Sequence, residues 1–159
     1  GVIWKLLTRF TDSRGWLCEL FRFDDVPEQF RPVMAYVSVT EVGVARGPHE
    51  HADQADYFCF LGPSNFKVYL WDIRPQAPTF GRRQVEMVGA ERPMALIVPP
   101  GVVHAYKNVG KVAGLIVNCP NRLYKGPGRK EPVDPVDEAL QQVGKRYACG
   151  RQGHGGTPL

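Results

Sequence analysis

Gly43–Gly62, GVARGPHEHADQADYFCFLG, is the stretch on which the reading of the fold turns. It sets His49 and His51 two residues apart, places Arg46 and Gly47 just ahead of them, and adds the acids Glu50, Asp53 and Asp56. Along a strand, residues i and i+2 face the same side. A strand here therefore sends both imidazoles into one cavity. A second segment, Val98–Asn108 (VPPGVVHAYKN), supplies His104 behind a Pro99-Pro100-Gly101 turn.

Outward from these segments the pattern is that of strands. Val33–Thr40 (VMAYVSVT) is rich in β-branched residues, Tyr57–Leu61 is apolar, and Phe66–Asp72 (FKVYLWD) alternates. Arg83–Val88, Met94–Val98, Ala105–Asn108 and Ala113–Asn118 follow, separated by Gly, Pro and Asn turns. Upstream, residues 1–10 read as a mixed strand, Thr11–Gly15 as a turn and Trp16–Phe23 as an alternating strand. Asp25–Phe30 makes a helical turn at best. Roughly nine or ten short strands at turn spacings of about 8–12 residues describe an all-β sandwich or barrel, and a double-sheet jelly roll is expected. One helix is expected late, over Asp134–Tyr147, with Asp134 as N-cap, Pro135 at N1 and acids Asp137 and Glu138 in the first turn. Residues 124–135 read as a loop, and 150–159 as a flexible Gly-rich tail.

The 159 residues suit a single domain over 1–159. No run of 18 apolar residues is present, so no membrane span is expected, and the first 15 residues lack the apolar core of a signal peptide. Cys18, Cys59, Cys119 and Cys149 show no CxxC spacing, which points to a reduced, cytoplasmic protein. The net charge is +4. Its basic residues are dispersed, apart from Lys125, Arg129 and Lys130 in the loop, and no nucleic-acid module is recognisable. An anionic small molecule, rather than nucleic acid or membrane, is the partner that fits. Trp4, Trp16 and Trp71, with Tyr57 and Tyr106, read as packing or interface residues.

The spacing Gly43-x5-His49-x-His51-x4-Asp56, followed by Pro99-Pro100-Gly101-x2-His104-x3-Asn108, resembles the two motifs of the cupin superfamily, with Asp56 standing for a Glu. The resemblance implies a cupin-type double-stranded jelly-roll barrel. Three imidazoles and a carboxylate also suit a divalent metal such as Zn, Ni or Fe, held by His49, His51, Asp56 and His104. The alternative, adopted here as the expectation, is that these residues act without a cofactor.

A longer resemblance runs from Asp12 to Tyr124. Asp12-x-Arg14-Gly15-x-Leu17-x-Glu19, Gly43-Val44-x-Arg46-Gly47-x-His49, Trp71-Asp72-Ile73-Arg74 with Ala77–Gly81, and Val98-Pro99-Pro100-Gly101-x-x-His104 are similar, in order, to blocks of the dTDP-4-dehydrorhamnose 3,5-epimerase family. The resemblance implies an isomerase acting on a dTDP-4-keto-6-deoxyhexose, with His49 as the base; Asp72 is the candidate partner for that base, with a structural hydrogen-bonding acid as the other reading. It further implies that Arg46 and His104 hold the substrate and that Tyr124 lines the base pocket. Arg14 and Glu19 would contact the nucleotide across a homodimer interface. Three features depart from that pattern: Asp56 stands where the family has a Lys, no Tyr occurs over 116–118, and the C-terminal motif that carries the family's orienting acid is not found. Two other readings stay open: a metal-dependent ketoisomerase or oxygenase, and a non-catalytic sugar-nucleotide binder.

Overall fold

The strand Asn65–Asp72 shows in eight residues how the chain makes its layers. Phe66, Val68, Leu70 and Asp72 are buried and alternate with half-buried Asn65, Lys67, Tyr69 and Trp71, the period-two pattern of a strand with one face in a core. The computed structural model describes residues 1–131, and within them eleven strands follow one another: β1 (Ile3–Leu6), β2 (Arg9–Asp12), β3 (Gly15–Cys18), β4 (Tyr36–Thr40), β5 (Ala45–His49), β6 (Asp56–Gly62), β7 (Asn65–Asp72), β8 (Arg83–Gly89), β9 (Met94–Val98), β10 (Val102–Asn108) and β11 (Gly114–Asn118). One sheet has the order β1-β9-β6-β11-β4 and the other β5-β10-β7-β8, while β2 and β3 form a separate hairpin. All pairings are antiparallel. This is the expected double-sheet jelly roll.

Between the two large sheets lies a core of Phe58, Phe60, Phe66, Val68, Leu70, Leu96, Val102, Tyr106 and Ile116. Phe60, Phe66 and Ile116 are wholly buried, and each such side chain stabilises the fold by about 1.5–3 kcal/mol. The strand β6 is buried along its whole length because its other face is covered too. There Tyr57, Cys59 and Leu61 meet Leu20, Phe21, Val26 and Phe30 from the segment after the hairpin.

Several expectations on strands change in the structure: the strand expected over residues 1–10 is split into β1 and β2, and β2 runs into the turn expected over Thr11–Gly15. The strand expected over Trp16–Phe23 ends at Cys18, because Leu20 and Phe21 leave the hairpin to cover β6. Trp16 stays 53% exposed, with the Arg9 guanidinium 5.0 Å over its ring. The strand expected to continue to His51 ends at His49. The expected helix over Asp134–Tyr147, Cys149 and the tail 150–159 lie outside the described residues.

Candidate active site

His49 and Arg46 are three residues apart, so simple alternation would place them on opposite faces. They pair instead with His104 and Tyr106, which are two apart and share a face. The extra residue is a β-bulge at Gly47-Pro48, and it returns both side chains to one face of β5, with His49 half-buried and Arg46 exposed. Gly47 is required there. Its φ is +91°, and a Cβ would lie 2.8 Å from the His104 carbonyl oxygen. Arg46 then turns across to the other sheet, where Nε donates to Thr40 Oγ1 at 2.9 Å and Nη2 to the Val39 carbonyl at 2.7 Å.

Three imidazoles collect at this end of the sandwich. The His49 and His104 rings are 6.1 Å apart, and those of His51 and His104 5.8 Å. His51 lies past the end of β5 yet reaches the cluster by its own route: its Nε2 is 3.2 Å from Asp56 Oδ2. His104 Nε2 stands 3.2 Å from the same oxygen. The other carboxylate oxygen accepts from Gln54 Nε2 at 3.0 Å and Asn118 Nδ2 at 2.9 Å. Burial alone would raise the Asp56 carboxyl, but the hydrogen bonds from His104 and His51 outweigh it and hold the group well below the usual carboxylate range. His49 makes no part of this hub. Burial, followed by the nearby His104 and His51, lowers its imidazole to about 4, so at neutral pH it is an unprotonated base.

The remaining candidates are spread more widely. Asp72 is buried, and its carboxylate is bound by Arg74 Nε at 2.9 Å, Arg74 Nη2 at 2.5 Å, the Arg74 amide at 3.0 Å and Thr79 Oγ1 at 2.5 Å. It lies opposite Val102, two residues along β10 from His104, and serves the 72–81 turn rather than the His49 ring. Arg14 sits on the β2–β3 turn with its side chain 88% exposed and bound to Asp12, and Glu19 is also exposed. Tyr124 is exposed under the Lys125 ammonium. A single chain thus brings together Arg46, His49, His51, Asp56 and His104, and leaves Arg14, Glu19 and Tyr124 at its surface. A separate pocket of about 130 Å³, lined by Lys5, Asp25, Tyr57 and Ile97 among others, opens elsewhere and shares none of these residues.

Comparison with known proteins meets the same blocks. Residues 1–142 match the dTDP-4-dehydrorhamnose 3,5-epimerase family along most of the chain. The chain belongs to this family. It is 33% identical over 128 residues to a probable low-salt glycan biosynthesis epimerase of Haloferax volcanii, covering 79% of this chain and 81% of that protein. It is 32% identical over 139 residues to a spore coat polysaccharide biosynthesis protein of Bacillus subtilis, covering 87% and 90%. Among solved structures, a double mutant of a 3′-monoepimerase from Streptomyces bikiniensis, in complex with dTDP, superposes with a TM-score of 0.67 at 26% identity, covering 88% of this chain and 72% of that one.

Within this family member, three polar residues that the sequence did not single out complete the site. Gln54 and Asn118 hold Asp56, and Asn118 Nδ2 also donates to the Tyr36 hydroxyl at 2.9 Å. Gln54 had a local signal, standing two residues before the acid it binds. Tyr36 and Asn118 had none, since 82 positions separate them and only the β4–β11 register makes them neighbours.

Proposed function

We propose that the chain is an isomerase that epimerises a dTDP-4-keto-6-deoxyhexose by removing a proton next to the keto group with His49. The observation that carries this reading is the environment of His49. It is half-buried at the interior end of β5, opposite His104, with an imidazole held neutral far below physiological pH. A neutral imidazole near a proton acidified by an adjacent carbonyl is a competent base. Arg46 offers a guanidinium on the same face of β5 for the anionic part of the substrate, and Arg14 and Glu19 are exposed where a second copy could complete the nucleotide site. A homodimer suits the surface. The edge strand β4 exposes Val37 and Val39, and the β2–β3 hairpin exposes Phe10, Trp16 and Leu17. Free Cys18, Cys59 and Cys119 agree with a cytoplasmic setting.

The test is solvent exchange: dTDP-4-keto-6-deoxyglucose in D2O gains deuterium at C3 or C5 with the native chain, and His49→Ala removes that gain. Native protein that binds dTDP but exchanges nothing would instead be a non-catalytic binder.

A second reading, a metal-assisted isomerase, rests on the geometry of His51, Asp56 and His104, whose ligand atoms all lie within 4.8 Å of one another. His49 is not in that group, so the four-ligand alternative contracts to three. Ligands bound at about 2.0–2.1 Å stand about 3.3 Å apart around a tetrahedral ion, and both His-to-Asp separations are 3.2 Å. His104 Nδ1 is 3.1 Å from the Val102 carbonyl; when the ring donates there, Nε2 meets Asp56 with a lone pair unless a second proton, the one in the hydrogen bond described above, sits between them. Two facing lone pairs call for a cation between them, a proton or a metal. The residues therefore fit Zn, Ni or Fe, and a bound ion would supply Lewis-acid polarisation of a keto oxygen. Stoichiometric metal in the purified protein, with a melting shift on adding Zn, supports this reading. Absence of both removes it.

A further inference from the structure

We propose that the Tyr36 hydroxyl is the acid of this site, returning a proton to the sugar from the face opposite His49. The inference rests on the isomerase reading above and adds to it the group that inverts the stereocentre. Inversion has a strict demand: the proton taken from one face of the ring must be replaced from the other, and one imidazole cannot do both.

The structure puts Tyr36 across the gap from His49. The chain doubles back between β4 and β5, and Arg46 ties the two strands together at Thr40 and Val39. From that tie, Tyr36 lies four residues back along β4, and His49 three residues on along the bulged β5. Both positions therefore lie to the same side of the tie, on opposite sheets. Facing sheets stand about 10 Å apart, a gap that side chains fill in the core; Tyr36 is 47% exposed and His49 half-buried, so both sit toward the open end, where a sugar can enter between the sheet edges. The inward direction of Tyr36 follows from its strand: Ser38 and Thr40, at the same alternation, reach Tyr106 and Arg46 inside, whereas Val37 and Val39 point outward.

A string of contacts fixes the hydroxyl at this level. His104 pairs with His49, His104 meets Asp56, Asp56 accepts from Asn118, and Asn118 donates to Tyr36. The carboxylate settles the orientation of the Asn118 amide, because only the NH2 end can donate to it. The same nitrogen gives its second hydrogen to the Tyr36 oxygen. Tyr36 is therefore an acceptor in this contact, and its own proton remains available to a substrate. Asn118 Oδ1 is buried with no protein donor, an acceptor that a sugar hydroxyl is suited to meet.

The other described tyrosines do not offer this. Tyr106 is 7% exposed among Phe58, Phe60 and Phe66. Tyr57 donates to the Leu20 carbonyl on the far face of β6, Tyr69 points outward beneath Lys67, and Tyr124 is exposed on a loop. Ser and Thr hydroxyls are much weaker acids than a phenol.

The step balances. His49 takes the proton from the carbon next to the keto group, and the C–H pair passes into the enolate. The Tyr36 O–H bond then breaks, its proton forms the new C–H bond on the opposite face, and the phenolate left behind is reprotonated by solvent, which also receives the proton from His49.

The test compares the native chain with Tyr36→Phe on dTDP-4-keto-6-deoxyglucose in D2O, following deuterium gain and epimer by NMR. In Tyr36→Phe, epimer formation is expected to fall by about 10²–10⁴-fold, while His49-dependent exchange continues with retention of configuration. A purely structural loss would lower both together. Tyr106→Phe is the control and keeps both activities. Undiminished epimer formation in Tyr36→Phe, or parallel loss of exchange and epimer, overturns the assignment. Native protein that exchanges without epimerising overturns it too, and leaves His49 as base. Native protein that does neither overturns both.

Discussion

Replacing Asp56 by Ala removes the acceptor on which four donors converge, and the cost can be worked from their burial. Gln54 and His51 are half-buried and can turn to water. His104 and Asn118, at 4% and 1% exposure, cannot. A buried polar group left without its partner costs about 1–3 kcal/mol, so two of them cost about 3–4 kcal/mol, in line with about 3–5 kcal/mol for breaking a buried charge pair. Relief from burying a carboxylate opposes this loss. The direction of the Asp56 shift decides between them: its carboxyl lies below the usual range despite burial, so the hydrogen bonds win. For a chain of this size the net loss lowers the melting temperature by about 10 °C. The measurement is a melt followed by circular dichroism at pH 7, after chelator treatment so that no metal contributes. Asp56→Asn keeps one acceptor oxygen and should fall between the two. An Asp56→Ala protein that melts within about 2 °C of the native chain would refute the argument, and show that the carboxylate is no net support.

Gly47→Ala forces a Cβ to 2.8 Å from the His104 carbonyl oxygen at a φ of +91°; a loss of about 2 kcal/mol or more is expected by urea denaturation, together with loss of His49-dependent exchange. Asp72, held low chiefly by its Arg74 hydrogen bonds, gives its full support to the fold above the unfolded carboxyl value of about 3.9, and that support is lost progressively as pH falls below it toward the lower folded value. The stability of Asp72→Asn, measured by denaturation from pH 7 down to pH 3, should therefore decline less steeply than that of the native chain. Val37→Glu places a charge on the exposed face of the β4 edge, and light scattering should show a dimer in the native chain and a monomer in the variant; a native monomer would remove the dimer.

The strands that carry their own pattern were the ones legible in the sequence. Met94–Val98 is apolar throughout because β9 is covered on both faces, and Asn65–Asp72 alternates because β7 is covered on one. Trp16–Phe23 alternates just as well, but its second half packs on a neighbouring sheet instead of extending the hairpin, and no local rule separates those outcomes. In the site, spacing was enough to nominate His49, His51 and His104. It gave the wrong parity for Arg46, since a bulge changes which residues share a face and is specified by backbone contacts with β10. Asp72 was a candidate partner for the base because it stands in the matched Trp71–Arg74 block, yet Arg74, two residues away, binds it. The link from Asp56 through Asn118 to Tyr36 depends wholly on strand register.

The meeting of His104 and Asp56 has one further consequence. His104 belongs to the four-stranded sheet and Asp56 to the five-stranded one, so their contact is a crosstie between the two leaves. Toward the middle of the sandwich the leaves are kept apart by the bulk of Phe58, Phe60, Phe66 and Tyr106, a spacing that no small molecule alters. At the mouth they are drawn together by polar contacts that a ligand can compete for. The width of the opening is thus set by the contact of His104 with Asp56, and a ligand oxygen that engaged His104 would loosen that tie.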